Sequence, residues 1–183
     1  MSRKYWAWNL TMDDAEFQLL VNHIRQDGRL HQGWGLVGMN LKLPLSSYVG
    51  AWEQAGWPNT NREAEVKYNQ LQRIQDIQIG DCIVVRGLVK DSLNRVPCGF
   101  TICECTAPYG FQPIGSRQDY GHFIGIREGE SYTEFGSETS LGKRLMGLRE
   151  AVMPIVSQNL KDAVETLWEY PQVVKKAVMW SRF

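Results

Sequence analysis

The hydrophobic pattern changes period several times along the chain. In Lys4–Leu10, KYWAWNL, large aromatics alternate with smaller residues, the two-residue period of a strand, with Tyr5 and Ala7 on one face and Trp6 and Trp8 on the other. Thr11 to Asp14 supplies helix-start chemistry, and Phe17, Leu20, Val21 and Ile24 recur at helical spacing until Gly28 closes the element. Gly28 to Gly38, GRLHQGWGLVG, carries four glycines around Trp34, which predicts a tight loop with an exposed indole. Leu41 to Asn59, with Pro44, Tyr48, Trp52, Trp57 and Pro58, reads as a short helix or an irregular loop. Thr60 to Glu63 matches the capping-box pattern, and Ala64, Tyr68, Leu71 and Ile74 carry a helix to about Gln75.

From there the period becomes that of strands: IQIGDCIVVRGLV (77–89), GFTICECT (99–106) and YGHFIGIRE (120–128), separated by stretches rich in turn formers, with Tyr132 to Phe135 as a final edge strand. Leu141, Leu145, Leu148, Val152 and Ile155 then form one helical stripe, and Leu160, Ala163, Val164 and Leu167 another. Pro171 breaks the second, and residues 173–180 make a third short helix. Consecutive strands with short connections predict an α+β fold, with a mostly antiparallel, strongly curved sheet or small barrel and helices packed at its side.

Composition narrows the function classes. Forty-three per cent hydrophobic and 22% charged residues in a chain of 183 are those of a globular protein with a real core. Twenty basic residues balance 20 acidic ones, so polyanion binding must come from a local patch and not from an overall field. No apolar run approaches a membrane span, and Met1–Trp8 lacks the apolar core of a secretory signal, so the expected compartment is the cytoplasm, with no membrane partner. Alternating Cys103 and Cys105 suit buried thiols on one strand face better than a disulfide frame or a zinc site. Seven Trp, seven Tyr and six Phe are the unusual feature, since several tryptophans lie beside glycines, where a core has no need of them.

The opening YW-x-W strand, the Gly-Trp-Gly loop, a helix leading into IxxGDxIVV, and strands ending near GHF together resemble the EVE branch of the PUA-like superfamily, a relative of YTH domains. The likeness covers Lys4 to Phe135. It implies a small curved β-barrel flanked by helices over residues 1–136, with residues 137–183 a C-terminal helical extension packed on it. It also implies an aromatic pocket that receives a modified base, as in modification-dependent restriction systems and RNA-methylation readers. The GxKxxExR pattern of the related ASCH branch is absent.

The residues suggest the same chemistry. A base pulled from a stack recovers part of the lost energy in an aromatic slot. Trp6, Trp8, Trp34, Tyr109 and Phe111 are the candidate walls, although one of Trp6 and Trp8 is expected to face the core. Selectivity needs polar groups on the base edge, and Asn9, His31, Gln32, Asp119 and His122 are the nearest in sequence; Asn9 serves equally as a turn or cap, and His122 as a hydrogen-bonded strand residue. Phosphate contacts fall to Arg25, Arg29, Arg86, Lys90, Arg95 and Arg117, near the glycine-rich loops. Asp81, after Gly80, reads as a structural cap of backbone N–H groups.

No serine-nucleophile elbow, zinc-binding helix or phosphate loop is present, and Glu63-x-Glu65-x-Lys67 reads as a solvated helical face. The expectation is therefore a non-enzymatic nucleic-acid reader without cofactor or metal, taking DNA in preference to RNA. Its C-terminal helices would serve a homodimer or a separate nuclease or NTPase. The alternatives are an aromatic cage for a small molecule or peptide, and a metal-dependent nuclease.

Overall fold

The alternation in KYWAWNL folds as a strand, with Trp6, Ala7 and Trp8 all buried because the sheet it enters is covered on both faces. The computed structural model describes residues 2–10, 14–57, 61–88, 99–115, 117–132 and 150–169. These form β1 (Tyr5–Asn9), α1 (Asp14–Asp27), β2 (Arg29–Gln32), α2 (Leu45–Gln54), α3 (Asn61–Gln72) with a 3-10 turn (Arg73–Asp76), β3 (Cys82–Arg86), β4 (Phe100–Phe111), β5 (His122–Tyr132), β6 (Val152–Pro154) and α4 (Gln158–Glu169). None of the described helices is long and apolar enough to cross a membrane.

The fold is α+β, built on one six-stranded sheet in the order β2-β5-β4-β3-β1-β6. Only β1 and β3 run parallel; the other neighbours are antiparallel. Among the described residues no ladder joins β2 to β6, so the sheet is open where a closed barrel was expected. Curvature enters through β4, whose register against β5 shifts between Thr101 and Cys103, Cys105 and Ala107, and Ala107 and Gly110. Such irregularities bend a strand and increase its twist.

The two faces carry separate cores. Trp6, Trp8, Ile83, Val85, Cys103, Cys105, Ile124 and Ile126 pack with Tyr48 and Trp52 of α2 and Ala64 and Leu71 of α3. On the other face Ala7, Cys82, Val84, Phe100 and Ile102 meet Leu160, Val164 and Leu167 of α4. Cys82, Cys103 and Cys105 are buried free thiols, with the last two on one face as the alternation required; Cys98 lies outside the described residues. Asp81 is the structural cap inferred from the sequence: its carboxylate accepts from Lys4 N–H at 3.0 Å, Gln78 N–H at 3.0 Å and Trp6 Nε1 at 2.9 Å, tying β1 to the turn before β3.

Two expectations change and one open alternative is resolved. Arg29–Gln32 is a strand and not part of the glycine loop: it has no β-branched residue to announce it, and pairing with the free edge of β5 supplies its order. Val152 and Ile155 are not on a helix; Val152 belongs to β6, which pairs antiparallel with β1, and Pro154 cannot sit in a helix interior. The stretch around Tyr48 and Trp52 resolves as helix α2. The rest of the first C-terminal stripe (141–149), the end of the expected edge strand (133–135), the helix starts at Thr11–Asp13 and Thr60, and the tail from residue 170 lie outside the described residues.

Candidate functional site

The Gly33-Trp34-Gly35 loop leaves β2 and crosses toward α2 and α3. Trp34 adopts φ +60°, the left-handed region that an L side chain occupies only under constraint. The constraint is visible. The Trp34 carbonyl accepts two hydrogen bonds, from Tyr48 Oη at 2.9 Å and from His122 Nε2 at 3.1 Å, while Gly35 N–H donates to the Asp119 carbonyl at 2.8 Å. Behind the loop, backbone lies on backbone: a Cβ at Gly121 would stand 2.0 Å from the Gly35 oxygen. Both positions therefore require glycine.

The partners of His122 fix its proton. A carbonyl can only accept, so Nε2 carries the hydrogen, and Nδ1 accepts from Tyr109 Oη at 3.1 Å. The Tyr109 hydroxyl in turn accepts from Leu41 N–H at 3.0 Å, and the Asn40 amide oxygen, 3.2 Å away, is a competing acceptor for its one proton. Burial pushes the His122 pKa down to about 4 against the opposing effect of its bond to Trp34, and pushes Tyr109 up to about 12. The relay is neutral and rigid, and it holds the indole in place.

The front of the indole faces a cavity of about 540 Å³ lined by Trp34, Trp52, Arg62, Glu63, Val66 and Lys67. Arg62, Glu63, Val66 and Lys67 fall on one face of α3 because residues three and four apart are neighbours on a helix. The Lys67 ammonium stands 4.0 Å from the centroid of a Trp34 ring, within cation–π range, and burial lowers its pKa while Glu63 acts against that. Trp52 packs edge-on to Trp57 at 4.6 Å, and among the described residues its buried Nε1 has no acceptor.

Of the walls expected from the sequence, the structure brings only Trp34 to this cavity. Trp6 and Trp8, 4% and 0% exposed, lie together in the core, because residues two apart on a strand share one face. Tyr109 and Phe111 stand behind the loop, Phe111 packing on the His122 ring at 5.3 Å. His122 anchors the loop and is fully buried; Asp119 contributes its carbonyl to the same anchor. Asn9 donates to the Glu150 carbonyl and accepts from Arg86 at 3.1 Å, a local tie between strands. His31 and Gln32 are buried on β2. The ring of His31 bonds through Nδ1 to the Tyr120 carbonyl at 3.0 Å, and burial pushes its pKa down to about 4.

The expected phosphate-binding set does not line the cavity either. Arg29 lies 4.8 Å over the Phe123 ring and bonds Gln112 at 2.8 Å, Arg86 is committed to Asn9, and Arg25 and Arg117 are exposed. Lys90 and Arg95 lie outside the described residues. The cations at the cavity are Lys67, which the sequence reading left on a solvated helical face with Glu63 and Glu65, and Arg62, which it did not single out. The signal that finds them is the i, i+4 spacing of Glu63 and Lys67, together with Tyr48 and Trp52 at the same spacing on α2. Among the described residues, no three or more His, Cys, Asp or Glu side chains gather as a metal ion would need.

Fold and cavity together define an α+β protein with an open, mixed sheet and an aromatic recess between a glycine loop and a surface helix. No family model matches the chain, and neither does any curated protein sequence.

Proposed function

We propose that this protein is a nucleic-acid reader that takes an extruded, modified base into the Trp34 cavity. The observation that carries the reading is the half-buried indole, held in a strained backbone conformation by a buried hydrogen-bond relay and turned toward a cavity of ligand size. A core has no use for such an arrangement, whereas a planar guest stacking on it recovers energy lost on leaving a base stack. The charges of Lys67 and Arg62 offer donors to the acceptor edge or the phosphate of such a guest. The resemblance to EVE domains supports the same reading, and the bending of β4 is in keeping with a PUA-like, barrel-derived sheet. On this reading the target is DNA in preference to RNA, in a modification-dependent defence setting, with cleavage left to a separate nuclease or NTPase.

A cage for a methylated cation is the second reading, favoured by the ammonium already resting on Trp34. One panel separates the two: matched single- and double-stranded oligonucleotides differing in one modified base, beside a trimethyllysine peptide, bound to wild type and Trp34→Ala over a salt series. The reader binds one modified oligonucleotide preferentially, loses affinity steeply with salt, and loses more than about tenfold on Trp34→Ala. Equal affinity across all the oligonucleotides would sink it.

A further inference from the structure

The ring face on which a guest must stack is already covered. Lys67 Nζ lies 4.0 Å from a Trp34 ring centroid, and among the described residues the ammonium makes no ion pair, although Glu63 is one helical turn away. A cation held chiefly by an aromatic face is held weakly, and a four-carbon stem lets it swing without moving the helix. Burial at the ring lowers its pKa, with Glu63 acting against that, so the ammonium is not at its best solvated there.

We propose that Lys67 is the specificity-determining residue of the cavity: it caps Trp34 in the empty protein, is displaced when a base stacks there, and then pairs with the phosphate attached to that base. The proposal rests on the base-reader reading and deepens it. A bare nucleoside must displace the ammonium and gives it nothing in return, so it binds poorly. A nucleotide offers a new partner in the same event. The cavity therefore selects a base that is still attached to a phosphate backbone, and rejects the pool of free nucleosides.

The test compares 5-methylcytidine and N6-methyladenosine, each as the free nucleoside and as the 5′-monophosphate, on wild type, Lys67→Ala and Lys67→Arg. Wild type is expected to favour a monophosphate over its nucleoside by about tenfold. Lys67→Ala should bind the nucleoside about fivefold more tightly than wild type does, the cap being gone, and lose the preference for phosphate. Lys67→Arg, which keeps the charge, should retain that preference. In the empty protein the Lys67 ε-methylene protons should be shifted upfield by the indole ring current and return to ordinary positions in Trp34→Ala. Equal loss of both ligands in Lys67→Ala, or an unshifted methylene, overturns the role of Lys67 while leaving a base reader intact. If the methylene is shifted but no probe binds any of the three proteins, the reader reading fails and this proposal falls with it.

Discussion

The two faces of the sheet are closed by opposite means. On the side of α2 and α3 the contact is made by large rings, Trp6, Trp8, Tyr48 and Trp52, and the neutral Trp34–His122–Tyr109 relay locks the adjoining loop. On the side of α4 the strands offer Ala7, Cys82 and Val84 beside the larger Phe100 and Ile102, and ion pairs span the rim. There Arg3 bridges Glu104 at 2.9 Å and Glu165 at 3.2 Å, Tyr5 donates to Glu165 at 2.6 Å, and Arg3 and Arg127 flank the Trp168 ring at 5.4 and 5.5 Å. Bulky, rigid rings hold their layer apart, and where that layer meets the glycine loop a cavity remains. The aromatic richness of the sequence thus does two jobs on one side of the molecule, filling a core and walling a recess.

The largest effect that sharpens this contrast is on stability. Trp8 is fully buried in the aromatic layer, and Trp8→Ala should remove about 3–5 kcal/mol, seen as a fall in the urea midpoint. A loss below about 1 kcal/mol would mean that the layer repacks, and the rings would not be the rigid spacers described here. Next comes pH. His122 and His31 have folded pKa values pushed down to about 4 by burial, below the ordinary value near 6.5. The unfolded chain therefore binds more protons across that window. Stability is fully present above about pH 6.5 and is lost as pH falls toward 4, by roughly 3 kcal/mol for each histidine. Urea titrations at pH 7 and pH 4.5 on wild type and His122→Gln check this: the variant should be less stable at pH 7 and less sensitive to acid. Identical acid sensitivity in the two would remove His122 from the account.

The α4 face should respond more weakly. Arg3→Met keeps the packing stem on Trp168 but deletes both ion pairs, whose partners are about a quarter exposed, so the loss should be about 1 kcal/mol and should shrink as salt rises. A loss that is large and independent of salt would place Arg3 among the core residues of its face.

How much of this was legible in the sequence depended on how local the signal was. The alternation of β1, the stop at Gly28, the paired thiols on β4 and the Asp81 cap on Gln78 N–H are set by neighbours within a few residues, and all appear as read. The strands β2 and β6 were missed because each is ordered by an edge contributed from elsewhere, β5 in one case and β1 in the other. Trp34 was found because glycines on either side of an indole are a local anomaly. Its partners in the cavity were not, because Trp52 and Lys67 reach it only through the packing of α2 and α3. Trp6 and Trp8 drew attention by size alone, and size cannot tell a core ring from a wall.

The smallest expected effect is the most pointed, because its sign runs against habit. At ordinary positions alanine is more stable than glycine, since glycine has more backbone freedom to lose on folding. Trp34 sits at φ +60°, where a Cβ is unfavourable by about 1 kcal/mol and glycine carries no penalty. Both Trp34→Ala and Trp34→Gly discard the same indole and the same Lys67 contact, so the difference between them isolates the backbone. Trp34→Gly should be the more stable of the two by about 1 kcal/mol in urea, though neither would bind a guest. Alanine the equal or better of glycine would show that the loop relaxes once the indole is gone, and that the relay through His122 and Tyr48 does not hold the backbone against strain. The order predicted here means instead that the relay holds the chain in an unfavourable conformation at a ring that faces the cavity.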